Sequence, residues 1–134
     1  MTDITTTMKL NHLSFPSTDA PATAAFFETH LGCASTPLGR GRILKRPGFD
    51  IVIEQVEGGE VTWPETFHLG FELPSVADVR ALHARFKAAG ARMETEVIPH
   101  VRGSRFFCRA PGGVMFEINT RADAAEAFRG SFDT

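Results

Sequence analysis

The sequence predicts an α+β protein built from one unit written twice, with a strand, a helix and a run of strands followed by the same order again. Two observations carry this. Asn11-His12-Leu13-Ser14-Phe15 returns as Phe67-His68-Leu69-Gly70-Phe71, with a histidine before Leu and a small residue between that Leu and Phe both times. Each run leads into a helix-forming segment that a glycine stops, Gly32 in the first case and Gly90 in the second. Both runs alternate as half-buried strands do. A period of two sets His68 and Gly70 on one face and Leu69 and Phe71 on the other, and likewise His12 and Ser14 against Leu13 and Phe15.

In chain order, residues 1–7 are polar and Thr-rich and read as a flexible lead-in. Met8 to Phe15 reads as the first strand and Pro16 to Asp19 as a turn, with Thr18 or Asp19 as N-cap and Pro21 in the first helical turn. The Ala-rich segment Ala22 to Leu31 predicts a helix. Short strands are expected around Ala34–Leu38 and Arg42–Lys45, and a longer one from Phe49 to Val56. Glu57 to Glu60 is a turn and Val61 to Thr66 a connecting loop. The second copy begins with a strand from Phe67 to Leu73. A helix follows from Val76 to Ala89 behind the N-cap Ser75, with Val76, Val79, Leu82, Phe86 and Ala89 as its apolar stripe. Strands are expected at Ala91–Ile98, Ser104–Arg109 and Val114–Asn119, and a short helix from Arg121 to Phe128. The domain reading is a flexible N-terminus over 1–7, a single domain over 8–121 and a C-terminal helix or tail over 122–134. Module one spans about 8–60 and module two about 66–121.

The chain has 134 residues, enough for one core or two small packed halves. A hydrophobic fraction of 43% and a charged fraction of 22% are those of a globular protein, and a net charge of -2 gives no basis for a nucleic-acid partner. No apolar run approaches the roughly 20 residues of a membrane span, and no signal peptide is visible, so a cytoplasmic location is expected. Cys33 and Cys108 have no metal-type spacing and are expected as buried thiols rather than a disulfide. There are 12 Phe and no Tyr, so one common acid catalyst is missing.

Four residues stand out as candidate chemistry. His12, Glu54, His68 and Glu117 each lie in a predicted strand, one His and one Glu per copy. The histidines are 56 positions apart and the glutamates 63, a difference that a short insertion in the second copy accommodates. Two imidazoles and two carboxylates at matching points of a repeat suit a divalent ion such as Zn, Ni, Co, Mn or Fe. Taken singly, a strand His is more often hydrogen-bonded surface or core, and a strand Glu more often a solvated face; the repetition is what favours a shared site. Arg102 and His100, in the loop from Pro99 to Gly103, are candidates for holding an anionic substrate or for acid–base work. Arg42, with Arg40, is a further candidate for binding a carboxylate, against the plainer reading of a solvated Gly/Arg loop. His30 and His83 are expected at helix surfaces, and Cys108 in packing.

The combination of Leu10-Asn11-His12-Leu13, Phe26-Phe27 to Leu31-Gly32, Ile53-Glu54, Phe67-His68-Leu69 and Phe116-Glu117-Ile118 resembles the vicinal oxygen chelate superfamily, the group of glyoxalases, bleomycin-resistance proteins and extradiol dioxygenases. The resemblance runs from about Met8 to Arg121. It implies two βαβββ modules in tandem forming a curled mixed sheet around a metal site, and a homodimer. It sets His12, Glu54, His68 and Glu117 on the metal positions. Departures narrow the subfamily: the turn Ala110-Pro111-Gly112-Gly113 replaces the usual Asp-Pro-Asp/Glu-Gly, and Gly58 stands where bacterial glyoxalases carry Asn. The implied function is a metal-dependent lyase or isomerase acting on a small substrate that chelates the ion through adjacent oxygens. Glu117 or Glu54 would move the proton. The alternatives are an Fe-dependent dioxygenase and a non-enzymatic protein sequestering a ligand in a cleft lined by Phe49, Phe106, Phe107 and Phe116.

Overall fold

The computed structural model describes residues 3–133. The chain divides into two compact units, Met1–Val61 and Thr62–Thr134, and each is a βαβββ module with its own four-stranded mixed sheet. No helix among the described residues is long and apolar enough to cross a membrane.

The first unit contains β1 (His12–Ser17), α1 (Ala20–His30), β2 (Ala34–Leu38), β3 (Gly41–Lys45) and β4 (Asp50–Gln55), in the sheet order β1-β4-β3-β2. Ahead of it, Ile4–Thr7, within the segment expected to be flexible, forms a single 3₁₀ turn capped by Asp3. Strand β1 continues through Pro16 and Ser17, which sequence alone suggests as turn. Its partner β4 runs parallel and keeps the ladder going as far as Ser17 opposite Gln55. The helix starts two residues earlier than expected because Asp19 caps it, its side chain accepting from the Ala22 backbone N–H at 3.1 Å. The buried face is Ala20, Thr23, Ala24 and Phe27, spaced 3, 1 and 3, and these pack with Phe15, Leu44, Ile51 and Ile53.

The second unit contains β5 (Leu69–Glu72), α2 (Val76–Ala88), β6 (Arg92–Met93), β7 (Arg105–Arg109) and β8 (Met115–Asn119), in the equivalent order β5-β8-β7-β6. Ser75 caps α2 by accepting from the Asp78 N–H at 3.1 Å. The buried positions of α2 are Val79, His83 and Phe86. His83 therefore corrects the surface expectation: its place four residues after Val79 and three before Phe86 turns it inward. Its ring stands edge-on to Phe106 at 5.0 Å, and Nε2 lies 3.3 Å from the Thr95 carbonyl oxygen. Phe86 meets Phe106 and Phe116 edge-on, both at 5.9 Å, so three fully buried rings close the core. Phe106 and Phe116 are thus core and not cleft lining. Both cysteines are free and buried, as expected. Burial pushes the Cys108 thiol up to about 11, which keeps it protonated and inert.

Two elements are shorter than their composition suggests. The expected strand Ala91–Ile98 pairs only at Arg92–Met93 and at an isolated bridge from Ile98 to Arg105. The expected helix Arg121–Phe128 is one 3₁₀ turn, Glu126–Phe128. The Gly112-Gly113 turn before β8 is packed by Trp63, whose indole N–H donates to the Gly112 carbonyl at 3.2 Å while its ring stacks on Phe67. Gly113 has φ +95, and a Cβ there would lie 3.2 Å from the indole nitrogen.

Phe106→Ala removes the ring shared by the aromatic core of the second unit and is expected to cost about 4 kcal/mol. The measurement is the shift in urea midpoint, and a loss below about 1 kcal/mol would show that the cluster does not hold this sheet to its helix.

Candidate active site

Strand pairing decides which side chains share a face, because residues opposite one another across a ladder point the same way. In the second unit Gly70 pairs with Glu117 and Glu72 with Asn119. On the other side of β8, Phe107 pairs with Glu117 and Arg105 with Asn119. His68 immediately precedes β5 and continues its polar face. One face of this sheet thus carries His68, Gly70, Glu72, Arg105, Phe107, Glu117 and Asn119, while Leu69, Phe71, Phe106, Cys108, Phe116 and Ile118 form the other.

At the centre of that face Glu117 is 6% exposed. Arg105 Nη1 donates to its Oε1 at 3.1 Å, and Asn119 Nδ2 donates to its Oε2 at 2.5 Å. Both carboxylate oxygens are therefore engaged and the charge is matched by a guanidinium, as a buried carboxylate requires. Arg105 Nη2 and Asn119 Oδ1 are buried without a hydrogen-bond partner, leaving one donor and one acceptor of the network unused. His68 Nδ1 lies 2.8 Å from the Thr66 carbonyl oxygen. A carbonyl only accepts, so Nδ1 carries a proton and donates it, and Nε2 takes no part in that bond. The ring is held edge-on by Phe107 at 5.4 Å.

Two adjoining cavities open on these residues. One of about 300 Å³ is lined by His68, Gly70, Glu72, Glu117, Asn119 and Phe132. The other, about 380 Å³, is lined by His68, Glu117, Arg102, Arg105 and Arg121 together with Phe128, Ser131 and Phe132 of the C-terminal segment. These volumes suit a small organic molecule. Arg121 has its guanidinium carbon 4.5 Å from the Phe132 ring centre and donates from Nη1 to the Arg102 carbonyl, which ties the segment to the loop. Asp123 accepts from both the backbone N–H and the hydroxyl of Ser104 at the other end of that loop. Burial would raise the Asp123 carboxyl, but these hydrogen bonds outweigh it and hold the group below its ordinary value.

The other sequence candidates fall elsewhere. His100 is exposed in the loop and its Nδ1 accepts from the Arg102 N–H at 3.1 Å. Desolvation, and after it the charges of Arg105 and Arg102, hold its imidazole below the usual value and so neutral at pH 7. In the first unit His12 pairs with Asp50 and Glu54 with Pro16, so the two share a face but are four ladder steps, about 13 Å, apart. His68 and Glu117 are two steps apart. Arg42 pairs with Ile53 and so lies on the face opposite to Glu54.

This offset breaks the equivalence of the two glutamates. If His12 is matched to His68, then Ser14 opposite Val52 corresponds to Gly70 opposite Glu117. Val52 holds the position of Glu117, and Glu54 holds that of Asn119. Among the described residues no group of three His, Cys, Asp or Glu comes together to hold a metal ion. The two halves therefore do not present equivalent donors: Glu54 is off register with Glu117, and Glu117 already has Arg105 as its countercharge. Sequence reasoning passed over Arg105, Asn119 and Phe132. Period-two alternation from Glu117 to Asn119 was the available signal for Asn119. The pairing of Arg105 with Asn119 needs the β7–β8 register, which the sequence does not display.

The two βαβββ modules define a fold of the glyoxalase type. The chain belongs to the Glyoxalase/Bleomycin resistance protein/Dioxygenase superfamily, whose family model matches residues 9–118. Among solved structures it is similar to a possible glyoxalase from Bacillus cereus, with 28% identity, a TM-score of 0.71 and coverage of 84% of this chain and 98% of that one. Two more distant likenesses show the fold alone. A glyoxalase/bleomycin resistance protein/dioxygenase from Nocardioides has 17% identity, TM-score 0.72, and coverage of 89% and 85%. Lactoylglutathione lyase from Agrobacterium tumefaciens has 15% identity, TM-score 0.67, and coverage of 83% and 92%. No curated protein matches the chain.

Arg105→Met strips the buried Glu117 of its countercharge and is expected to destabilise the protein by about 3 kcal/mol, whereas Arg105→Met combined with Glu117→Leu regains most of that loss. Urea midpoints of the two variants test this. Equal destabilisation in both would mean that Arg105 acts through packing of its stem and not through the ion pair.

Proposed function

We propose that the protein is a glyoxalase-like enzyme, a lyase or isomerase, that binds a small oxygen-bearing substrate in the His68–Glu117 cavity and moves a proton on it with Glu117. One observation carries this reading: a carboxylate that is almost wholly buried yet lines a cavity, on the same wall as an imidazole held by the backbone through Nδ1. Arg105 and Asn119 fix the plane of that carboxylate, so its position relative to a bound molecule is set before binding. His68 Nε2 is the second group able to take or share a proton. Arg102 lines the same cavity and is suited to an anionic part of the substrate. Glu54, exposed on β4, has no such setting.

A second reading has one observation in its favour. Both oxygens of Glu117 are already hydrogen-bonded, which suits holding a ligand as well as transforming it. This is the sequestering alternative, and turnover separates the two. Screening small hydroxy- and oxo-carbonyl compounds for isomerisation or cleavage should yield a substrate on which Glu117→Gln loses at least about a hundredfold in kcat. Glu54→Gln should stay near the parent value. Tight binding without turnover of any compound would move the assignment to sequestration, and a greater loss in Glu54→Gln would move the base to the first unit.

The superfamily resemblance also supports assembly as a homodimer. Multi-angle light scattering at micromolar concentration should return twice the chain mass, and a single species of monomer mass would remove the dimer from the proposal.

A further inference from the structure

We infer that the cavity of the second unit takes a small organic carboxylate and does so without a divalent metal, with Arg105, backed by Arg102 and Arg121, supplying the positive charge. The inference rests on the reading of this cavity as the ligand site and adds the class of ligand and the source of charge.

Three observations lead to it. Three arginines line a cavity of about 380 Å³ that holds one carboxylate, Glu117. With three guanidinium groups against one carboxylate, the wall carries a surplus of positive charge that an anion would balance. Next, the network is incomplete at a donor and at an acceptor. Arg105 Nη2 is buried and unpartnered, as is Asn119 Oδ1. A ligand carrying a carboxylate and a neighbouring hydroxyl supplies an acceptor for the first and a donor for the second. Last, the donor geometry opposes a four-ligand metal. Val52 and Ile43 stand where the second unit has Glu117 and Phe107, and Glu117 already faces the positive charge of Arg105, which would repel a divalent ion at the same carboxylate. Phe128 and Phe132 on the same cavity give the body of the ligand an apolar wall, so an aromatic carboxylate is the best fitting probe.

The test is a titration of the full chain with benzoate and salicylate, followed by calorimetry and by the melting midpoint, in excess EDTA and again with added Zn²⁺, Ni²⁺ or Mn²⁺. Benzamide, of the same shape without the charge, is the control. Benzoate and salicylate should bind equally well with chelator and with metal, salicylate more tightly, and benzamide not measurably. Arg102→Gln should weaken salicylate by about tenfold. Arg105→Gln, which keeps a donor to Glu117, should weaken it at least as much, and a circular dichroism spectrum like that of the parent excludes unfolding as the cause. Binding that appears only with added metal would overturn the inference. So would stoichiometric metal lost on either His12→Ala or Glu54→Gln, which would restore the four-residue metal set. Equal binding of benzamide, or no binding of either carboxylate, would refute the ligand class. None of these outcomes bears on the Glu117→Gln kinetics, so failure here and failure of the proton-transfer role are told apart.

Discussion

The pairing on which the site depends is the parallel ladder between the first and last strands of each module. It joins residues more than thirty positions apart, and its register alone decides which side chain of one strand lies beside which of the other. A register fixes the whole face at once, since a shift of one residue would exchange the core and the cavity sides. In the second unit it assembles Gly70, Glu117 and Phe107 across three strands, with Glu72, Asn119 and Arg105 one step further on. In the first unit the same positions bring together Ser14, Val52 and Ile43. The modules share a fold and differ in chemistry because Val52 and Ile43 hold in the first unit the rung that Glu117 and Phe107 hold in the second.

The difference is built into the backbone as well as the side chains. The position of Arg105 corresponds, two residues before the rung of Phe107, to Gly41 in the first unit. A Cβ at Gly41 would lie 2.1 Å from the Ile53 carbonyl oxygen, well inside contact distance. No arginine can stand there unless β3 moves away from β4. The first unit therefore cannot rebuild the Arg–Glu–Asn network by point substitution, even with Val52 changed to Glu. Its exposed charges pair locally instead, Lys45 with Asp50 and Arg40 with Glu57. Exposed pairs of this kind add little to stability. The buried pair of Arg105 and Glu117 is of another sort, with a desolvation cost that apolar residues would avoid. Its position on a cavity wall gives a reason for keeping it that stability does not.

The repeat, both helices, the glycine stops and the α+β class were legible because they are local: a period, a cap and a stop each lie within a dozen residues. That His68 and Glu117 lie on one polar strand face was legible for the same reason, since both strands alternate. What was hidden is what depends on pairing. His12 and Glu54 were expected together because each sits at a similar distance from its copy in the other half, and sequence distance does not carry register. Arg42 looked like a carboxylate binder beside a glycine, but one step along β3 puts it on the far face. His83 illustrates the helical version. The stripe through Val76, Val79, Leu82, Phe86 and Ala89 tolerates a rotation that brings His83 inward and leaves Leu82 half-buried. Hydrophobicity alone does not choose between the two, whereas an imidazole that can reach the Thr95 carbonyl does.

Electrostatics sets the terms on which Glu117 can serve any cation other than Arg105. The carboxylate holds a guanidinium nitrogen at 3.1 Å. A divalent ion ligated by the same group would lie within about 5 Å of that positive charge, a repulsion of about 7 kcal/mol at the effective dielectric suited to buried sites. Bringing such an ion in would require Arg105 to swing away, and Arg105 would then need another acceptor for a side chain that is now 14% exposed. An anionic ligand meets no such obstacle. It adds negative charge beside a guanidinium that already has one carboxylate and a spare donor, and a planar guanidinium accommodates two carboxylates along different edges. The same residue that crowds out a metal is thus the one best placed to receive an oxyanion, and Arg102 and Arg121 on the same wall offset the repulsion between that anion and Glu117.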